Sequence, residues 1–378
     1  MTVAKTYQSD TIANSVTHKN FLKIKWEDGY ESEFYYLWLR DNCPSTPRVN
    51  CQRTTDPLDL PPQPYPQTVR INEEYHIEIV WANEDTISTF EPTWLKHYSI
   101  TEQTPKKSTQ QKLWGAEKAD SIIKADYHEI LENEAKLKDW LLAVRDEGIA
   151  LLQNVPTEPE KILEVASHFG CIRETYWGKY VDIKSIDNPE SDAFTNLRIL
   201  PHTDLSYFAH PPAYLLFHYL TVASQGGSNI LVDGFKIAEV LRREAPEKFK
   251  ILSTLPVQFR FQHTDADLIG ESAIFSLDYY GNIKSIRFSS RAIQPFNFPS
   301  EMIKPYYEAY RTFLEVCNQD EYKMCVKFNE GDLLILDNHR VLHGRTGYEG
   351  KRFMQSAFIE RTELMSRLSV LNRKSKHL

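Results

Sequence analysis

The chain has 378 residues, 41% of them hydrophobic and 25% charged, with a formal net charge of -8. That length favours two folded units over one, and an acidic balance offers no basic stripe for nucleic acid. No apolar run approaches the roughly 20 residues needed to cross a bilayer, so neither nucleic acid nor a membrane is an expected partner.

The first twenty residues are polar and lack the charged-then-apolar layout of a secretory leader. Asp10 and the absence of arginine there also speak against a mitochondrial presequence. Five widely spaced cysteines do not form a disulfide framework. A reducing cytoplasm is the expected location.

Residues 1–100 read as short strands and turns, a small β-rich domain. Phe21 to Trp26 alternates, Glu27-Asp28-Gly29 turns, and 33–39 returns, which predicts a hairpin. Residues 76–81 alternate again, after a proline-rich crossing. Residues 101–112, polar and rich in lysine and glutamine, read as a linker to a second domain over 113–378. There the apolar stripe over 126–147 predicts one helix, residues 148–152 a buried strand, and 158–169 a helix closed by Gly170. Strand-like runs dominate from Phe194 onward: 214–220, 230–233, 283–288 and 353–358. Residues 322–328 and 332–336 suggest a hairpin through Asn329-Glu330-Gly331. Helices are expected at 235–243, 300–315 and 363–371. The fold class is therefore mainly β with flanking helices (α+β): a double-sheet jelly roll behind a small N-terminal β domain.

Two apolar runs end on metal-ligand residues. Ile199-Leu200-Pro201 leads into His202-Thr203-Asp204, and Leu334-Ile335-Leu336 into Asp337-Asn338-His339-Arg340-Val341-Leu342-His343-Gly344-Arg345. Two histidines and one carboxylate can occupy one face of an iron ion, leaving the other positions for substrates and oxygen. On a strand, His202 and Asp204 would leave the same face. His343 would close the set from a neighbouring strand. It is preferred to His339, because Gly344 beside it permits close backbone approach. A second His-x-Asp, His263-Thr264-Asp265, lies in a polar stretch that reads as an exposed turn. Arg352, near the start of the last strand, could hold a dicarboxylate by a bidentate ion pair.

These motifs, with Gly226-Gly227, Leu231-Val232-Asp233-Gly234-Phe235 and the early Leu37-Trp38-Leu39-Arg40-Asp41-Asn42-Cys43, resemble the γ-butyrobetaine and trimethyllysine hydroxylases. Those belong to the taurine-dioxygenase-like Fe(II)/2-oxoglutarate oxygenases. The resemblance covers nearly the whole chain, about residues 20–372. It implies iron held by His202, Asp204 and His343, and 2-oxoglutarate held by Arg352, with Phe217 and the turn carrying Asn229 shaping its pocket. It also implies oxygen as co-reactant, hydroxylation of an aliphatic C–H bond of a small substrate, and a carnitine-biosynthesis type of chemistry. Homodimers are common in the family. Members hold a trimethylammonium group in an aromatic cage, and quaternary cations do sit well on ring faces. The corresponding positions are Trp177, Tyr180, Phe194, Leu205 and Phe358, with Ser191 and Ser289 or Ser290 where the family contacts the substrate carboxylate.

The chain departs from the family at several of these points. Phe194, Leu205 and Phe358 stand where the cage tends to use tyrosine, and serines stand in for asparagines. Cys43 and Cys51 remain of a zinc cluster, but Ser45 replaces a cysteine and residues 83–85 lack the family's histidine, so structural zinc is not expected. Two other readings stay open on sequence grounds. One is a taurine-dioxygenase-like oxygenase acting on another small molecule or a natural-product intermediate. The other is a non-catalytic jelly roll that binds a metal or ligand.

Overall fold

A computed structural model describes residues 10–44, 46, 48–49, 52–53, 56–99, 111–186 and 192–374. The chain divides into two compact units, Met1–Lys106 and Lys107–Leu378. Residues 101–110, most of the expected linker, lie outside the described residues.

The smaller unit holds two three-stranded antiparallel meanders. One contains Ile12–Thr17, Phe21–Trp26 and Glu31–Tyr35; the other contains Pro66–Ile71, Ile77–Trp81 and Ile87–Phe90. Alternation places Leu22, Ile24 and Trp26 in one core with Ile77, Ile79 and Trp81. Each of the two tryptophans satisfies its indole N–H on a serine of the next strand: Trp26 on Ser32 at 2.7 Å, Trp81 on Ser88 at 2.8 Å. The return strand is shorter than its alternation suggests. Tyr36–Asp41 is a helix, with Tyr36 and Leu39 buried three residues apart on its inner side.

The larger unit is the jelly roll. Its strands are β1 (Lys124–Asp126), β2 (Ile149–Gln153), β3 (Tyr180–Lys184), β4 (Ile199–His202), β5 (Tyr214–Thr221), β6 (Asn229–Asp233), β7 (Lys323–Val326), β8 (Leu333–Asp337), β9 (Val341–Arg345) and β10 (Phe353–Ile359). One sheet runs β3-β10-β5-β8-β2-β1, the other β4-β9-β6-β7. All pairings are antiparallel except β1 with β2.

Both faces of the larger sheet are covered, which is why β5 is buried at every position from Tyr214 to Leu220. Tyr214 and Leu216 face outward, into a cluster with Trp140 and Leu141 of one helix and Leu364 and Leu368 of another. Leu215, Phe217 and Tyr219 face inward, toward Leu231 and Met324 of the opposite sheet. β8 divides in the same way, Leu333 and Ile335 outward, Leu334 and Leu336 inward. On the far side, helices Gly234–Glu244, Pro246–Thr254 and Ser300–Asn318 pack into a third cluster centred on Phe259, Phe275 and Phe313.

Two expectations of local structure are corrected. The stripe over 126–147 is two helices, Tyr127–Glu132 and Glu134–Glu147. Asn133 breaks it by capping the second, its side chain accepting from the backbone of Ala135 and Lys136. Residues 322–336 form no hairpin: β7 pairs with β6 and β8 with β2 and β5, so the chain crosses from one sheet to the other. Hydrophobic alternation is identical in both arrangements, and only burial of both β8 faces selects the crossing.

His218, on β5, is fully buried, and burial depresses its imidazole to about 4. The folded chain therefore keeps it neutral, while the unfolded chain protonates it below about 6.5. The stability contributed by this difference is present above pH 6.5. It is lost as pH falls from 6.5 to 4, to a total of about 3 kcal/mol. Urea unfolding across that window is expected to show the loss, and His218→Gln to flatten it. An equally steep acid limb in the variant would place the cause elsewhere.

Among the described residues, no helix is long and apolar enough to cross a membrane.

Candidate metal centre and active-site pocket

His202 ends β4 and His343 lies within β9, and the two are direct cross-strand partners. β9 can approach β4 this closely because Gly344 has no side chain. A Cβ there would stand 2.5 Å from the Ile199 carbonyl oxygen. Asp204 reaches the same place differently from the strand expectation, for β4 ends at His202 and Asp204 belongs to the turn beyond it. The backbone then takes a left-handed conformation at Leu205 (φ 53°).

The turn is held on both sides. Thr203 N–H donates to the Phe288 carbonyl at 2.7 Å, and Phe288 N–H returns a bond to the Thr203 hydroxyl at 3.0 Å. Asn338, buried at the β8–β9 turn, accepts from Asp204 N–H at 2.7 Å and donates to the Asp204 and Pro212 carbonyls, each at 3.0 Å. This residue was legible only as part of a motif; its role as the clasp of Asp204 was not. Asn338→Ala is expected to lower metal affinity 10–100-fold, as loss of an orienting outer contact does, and to cost about 1–3 kcal/mol in unsatisfied groups. Metal titration and thermal unfolding read the two effects separately.

The three ligand groups lie within 4.8 Å of one another, and no other such group occurs among the described residues. Asp204 Oδ1 is 3.1 Å from His202 Nε2 and 3.4 Å from His343 Nε2. His202 Nδ1 lies 2.9 Å from the Leu200 carbonyl, which can only accept, so Nδ1 carries the proton and Nε2 presents its lone pair. A lone pair and a carboxylate oxygen thus face each other, an arrangement that a cation between them stabilises. Burial and the charge of His343 lower the His202 pKa. Burial also pushes the Asp204 carboxyl up, but the two histidines beside it outweigh this and hold it well below the usual range. Neutral imidazole and ionised carboxylate are the protonation states that bind a divalent metal. The donor set fits iron.

Above the triad opens a cavity of about 240 Å³, a size for metabolites rather than polymers. Phe217, Asn229, Arg352 and Ser356 line one side of it. Arg352 is buried, its Nη1 has no hydrogen-bond partner, and it lies 5.5 Å from the Tyr348 ring. Burial lowers its pKa. Asn229 sits on strand β6 rather than in the turn before it, and accepts from the Tyr219 hydroxyl at 2.7 Å. Arg345 donates to the carbonyls of Ala193, Thr195 and Leu197, fixing the segment that carries Phe194.

Of the expected substrate positions, Trp177, Phe194, Leu205 and Phe358 line the cavity, as does Ser289. Tyr180 does not: its hydroxyl donates to Glu160 at 2.9 Å, away from the lining, because Trp177 and Val181 take the inward positions. Ser191 lies outside the described residues. Two further rings enter the cavity, Tyr207 and Phe261. Phe261 stacks on Tyr207 at 5.1 Å and meets Trp177 edge-on at 5.1 Å. It comes from the hairpin Val257–His263 and Ala266–Ser272, whose tip carries the second His-x-Asp. The alternation Phe259-Arg260-Phe261 was the available signal.

In the smaller unit Cys43 is buried and Cys51 lies outside the described residues. Glu84, in the stretch that the family's zinc-binding histidine would occupy, instead pairs with Arg40 at 2.7 Å.

A jelly roll with a two-histidine, one-carboxylate face at the base of a cavity defines a non-haem iron oxygenase. Residues 102–358 match the family described as taurine catabolism dioxygenase TauD, TfdA, and residues 14–96 match the gamma-butyrobetaine hydroxylase-like N-terminal family. The chain belongs to the TauD, TfdA dioxygenase family. It is 30% identical over 370 residues to a gamma-butyrobetaine dioxygenase of Pseudomonas sp. (strain AK-1), covering 96% of each chain. It is 29% identical over 374 residues to a trimethyllysine dioxygenase of Meyerozyma guilliermondii, covering 93% of each. Among solved structures, an asparagine oxygenase in complex with Fe(II), 3-hydroxyasparagine and succinate superposes with a TM-score of 0.49 at 16% identity, over 60% of this chain and 79% of that one.

Proposed function

We propose that this dioxygenase hydroxylates an aliphatic C–H bond of a small trimethylammonium compound of the γ-butyrobetaine type, with Fe(II), 2-oxoglutarate and oxygen. The observation that carries the reading is the triad of His202, Asp204 and His343 facing into a cavity beside the buried, partnerless Arg352 Nη1. His202, Asp204 and His343 would hold the iron. Iron there supplies the oxygen chemistry, coupling oxidative decarboxylation of 2-oxoglutarate to hydroxylation.

The rest is positioning by the protein. Arg352 binds the distal carboxylate of 2-oxoglutarate, and its burial makes that ion pair strong. Phe217, packed edge-on to His343 at 5.3 Å, walls the cosubstrate side and excludes water. Trp177, Tyr207 and Phe261 offer ring faces to a quaternary cation, and Phe194, Leu205 and Phe358 close the apolar remainder. The relatives named for gamma-butyrobetaine and trimethyllysine support this substrate class.

Arg352→Gln is expected to raise the KM for 2-oxoglutarate by about 10–100-fold, the equivalent of a charge-assisted hydrogen bond of roughly 1.5–3 kcal/mol. Steady-state kinetics with the cosubstrate varied would read it; an unchanged KM would remove Arg352 from that role. The substrate class is tested by 2-oxoglutarate turnover with γ-butyrobetaine, trimethyllysine, other trimethylammonium compounds and taurine. Stimulation by a quaternary amine is expected. Stimulation by none of them would sink the substrate class while leaving the reaction class standing. Cys171, Cys317 and Cys325 are free thiols, which fits the reducing cytoplasm proposed as the location.

A further inference from the structure

Gly226 and Gly227 do not line the cavity, yet both press on the segment that leads to Arg352. Each takes a left-handed backbone, with φ 65° and 69°. Gly226 pairs with Tyr348 in a short antiparallel ladder, Gln225–Gly226 against Tyr348–Glu349. A Cβ on Gly226 would stand 2.2 Å from the Gly347 carbonyl oxygen and 3.2 Å from Tyr348 Cα. One on Gly227 would stand 3.4 Å from Tyr348 Cβ and 3.8 Å from Arg352 Cδ. Gly227 N–H donates to the Gly347 carbonyl and Tyr348 N–H to the Asn196 carbonyl, each at 3.1 Å. The glycines thus seat the backbone of Tyr348, whose side chain is buried.

What Tyr348 offers the site is a ring. The Arg352 guanidinium lies over it, 5.5 Å from the centroid, within reach of a cation–π contact. Among the described residues Arg352 forms no ion pair, its Nη1 has no hydrogen-bond partner, and the sole carboxylate lining the cavity is Asp204 of the metal triad. Burying a cation without a counter-charge is costly, and ordering a long arginine side chain costs entropy. A ring face offsets part of both costs without consuming a guanidinium N–H. A carboxylate in the same place would also fix Arg352, but it would occupy the fork that an arriving anion needs and cancel its charge. The Tyr348 hydroxyl is buried without a hydrogen-bond partner, so the contact belongs to the ring.

We infer that Tyr348 is the positioning residue of the cosubstrate cation: its ring holds the Arg352 guanidinium in place with the donors free, and Gly226-Gly227 seat that ring. This rests on the proposed role of Arg352 toward the distal carboxylate of 2-oxoglutarate. It adds what holds the arginine before that carboxylate arrives. The same ring lies 5.1 Å from the Arg345 guanidinium, so the test is read on cosubstrate binding with no second substrate present.

The test is calorimetric binding of two probes to the full chain loaded with Mn(II). The probes are 2-oxoglutarate and 2-oxopentanoate, which carries a methyl group in place of the distal carboxylate. The native chain is expected to prefer 2-oxoglutarate by more than about 10-fold. Tyr348→Leu is expected to reduce that preference roughly 10-fold, with Mn(II) affinity unchanged, whereas Tyr348→Phe keeps it. In an Arg352→Gln background, Tyr348→Leu should change the preference no further. If Tyr348→Leu does not fold, Tyr348→Met takes its place with the same expected loss. An undiminished preference in the aliphatic variant would overturn the inference and leave the Arg352 reading standing. Equal losses in Tyr348→Phe and the aliphatic variant would also overturn it, since the hydroxyl would then carry the effect. No preference in the native chain would remove Arg352 from its role, and the inference with it.

Discussion

His202→Ala is expected to abolish substrate-dependent succinate formation and to weaken metal binding by more than about 100-fold, since loss of an outer contact alone costs 10–100-fold. The size follows from geometry. His202 Nε2 is one of only three ligand atoms, and its tautomer is fixed by the Leu200 carbonyl. Asp204 and His343 alone leave the metal two protein ligands. Removing the ring also frees the Asp204 carboxylate from one of the two groups that keep it ionised. Metal content after gel filtration and succinate release measure the two losses. A variant that kept substrate-dependent succinate production would refute the triad.

Arg340→Met is expected to destabilise the larger unit by about 3–5 kcal/mol, the cost of leaving a buried charge without its partner. For a unit of this size that corresponds to a fall in Tm of roughly 10 °C. Arg340 and Asp233 form a bidentate pair at 2.9 and 2.8 Å, with side chains 1% and 0% exposed. Arg340 donates further to the Asp146 and Lys112 carbonyls. Asp233 accepts from the backbone of Trp114 and Phe235, the latter capping the helix Gly234–Glu244. One ion pair thus joins β6, the β8–β9 turn and the segment entering the domain. Pairing Arg340→Met with Asp233→Asn should cost less than the sum of the single changes, because the second change removes the stranded charge. Thermal unfolding of the three variants provides the comparison. A loss under about 1 kcal/mol for Arg340→Met would show that the pair contributes little.

The same pair explains part of what the family motifs contain. Leu231-Val232-Asp233-Gly234-Phe235 and the 337–345 run look, in sequence, like a catalytic signature. In the fold, His343 joins the candidate metal triad, while Asn338 clasps Asp204, Arg340 braces the sheet and Arg345 holds the Phe194 loop. A motif lists residues without separating chemistry from scaffold. That separation needs their partners, which are 107 residues away for Arg340 and 134 for Asn338.

The sequence by itself determined the chemistry of the ligand set and the layered character of the strands. Histidine and carboxylate side chains can bind iron wherever they meet, and a run such as residues 214–217 is apolar at every step only when both faces are covered. Tertiary structure alone decided how the ligands meet. Asp204 points at the histidines because a turn, pinned by Asn338 and Thr203, aims it there, and strand alternation plays no part. It also decided that β7 and β8 lie in different sheets, that Tyr180 faces away from the cavity, and that Phe261 and Arg291 enter it. The physical reason is common to all of these. Periodicity records which face of a segment is buried, whereas the choice of neighbour depends on packing and hydrogen bonds between residues far apart in the chain.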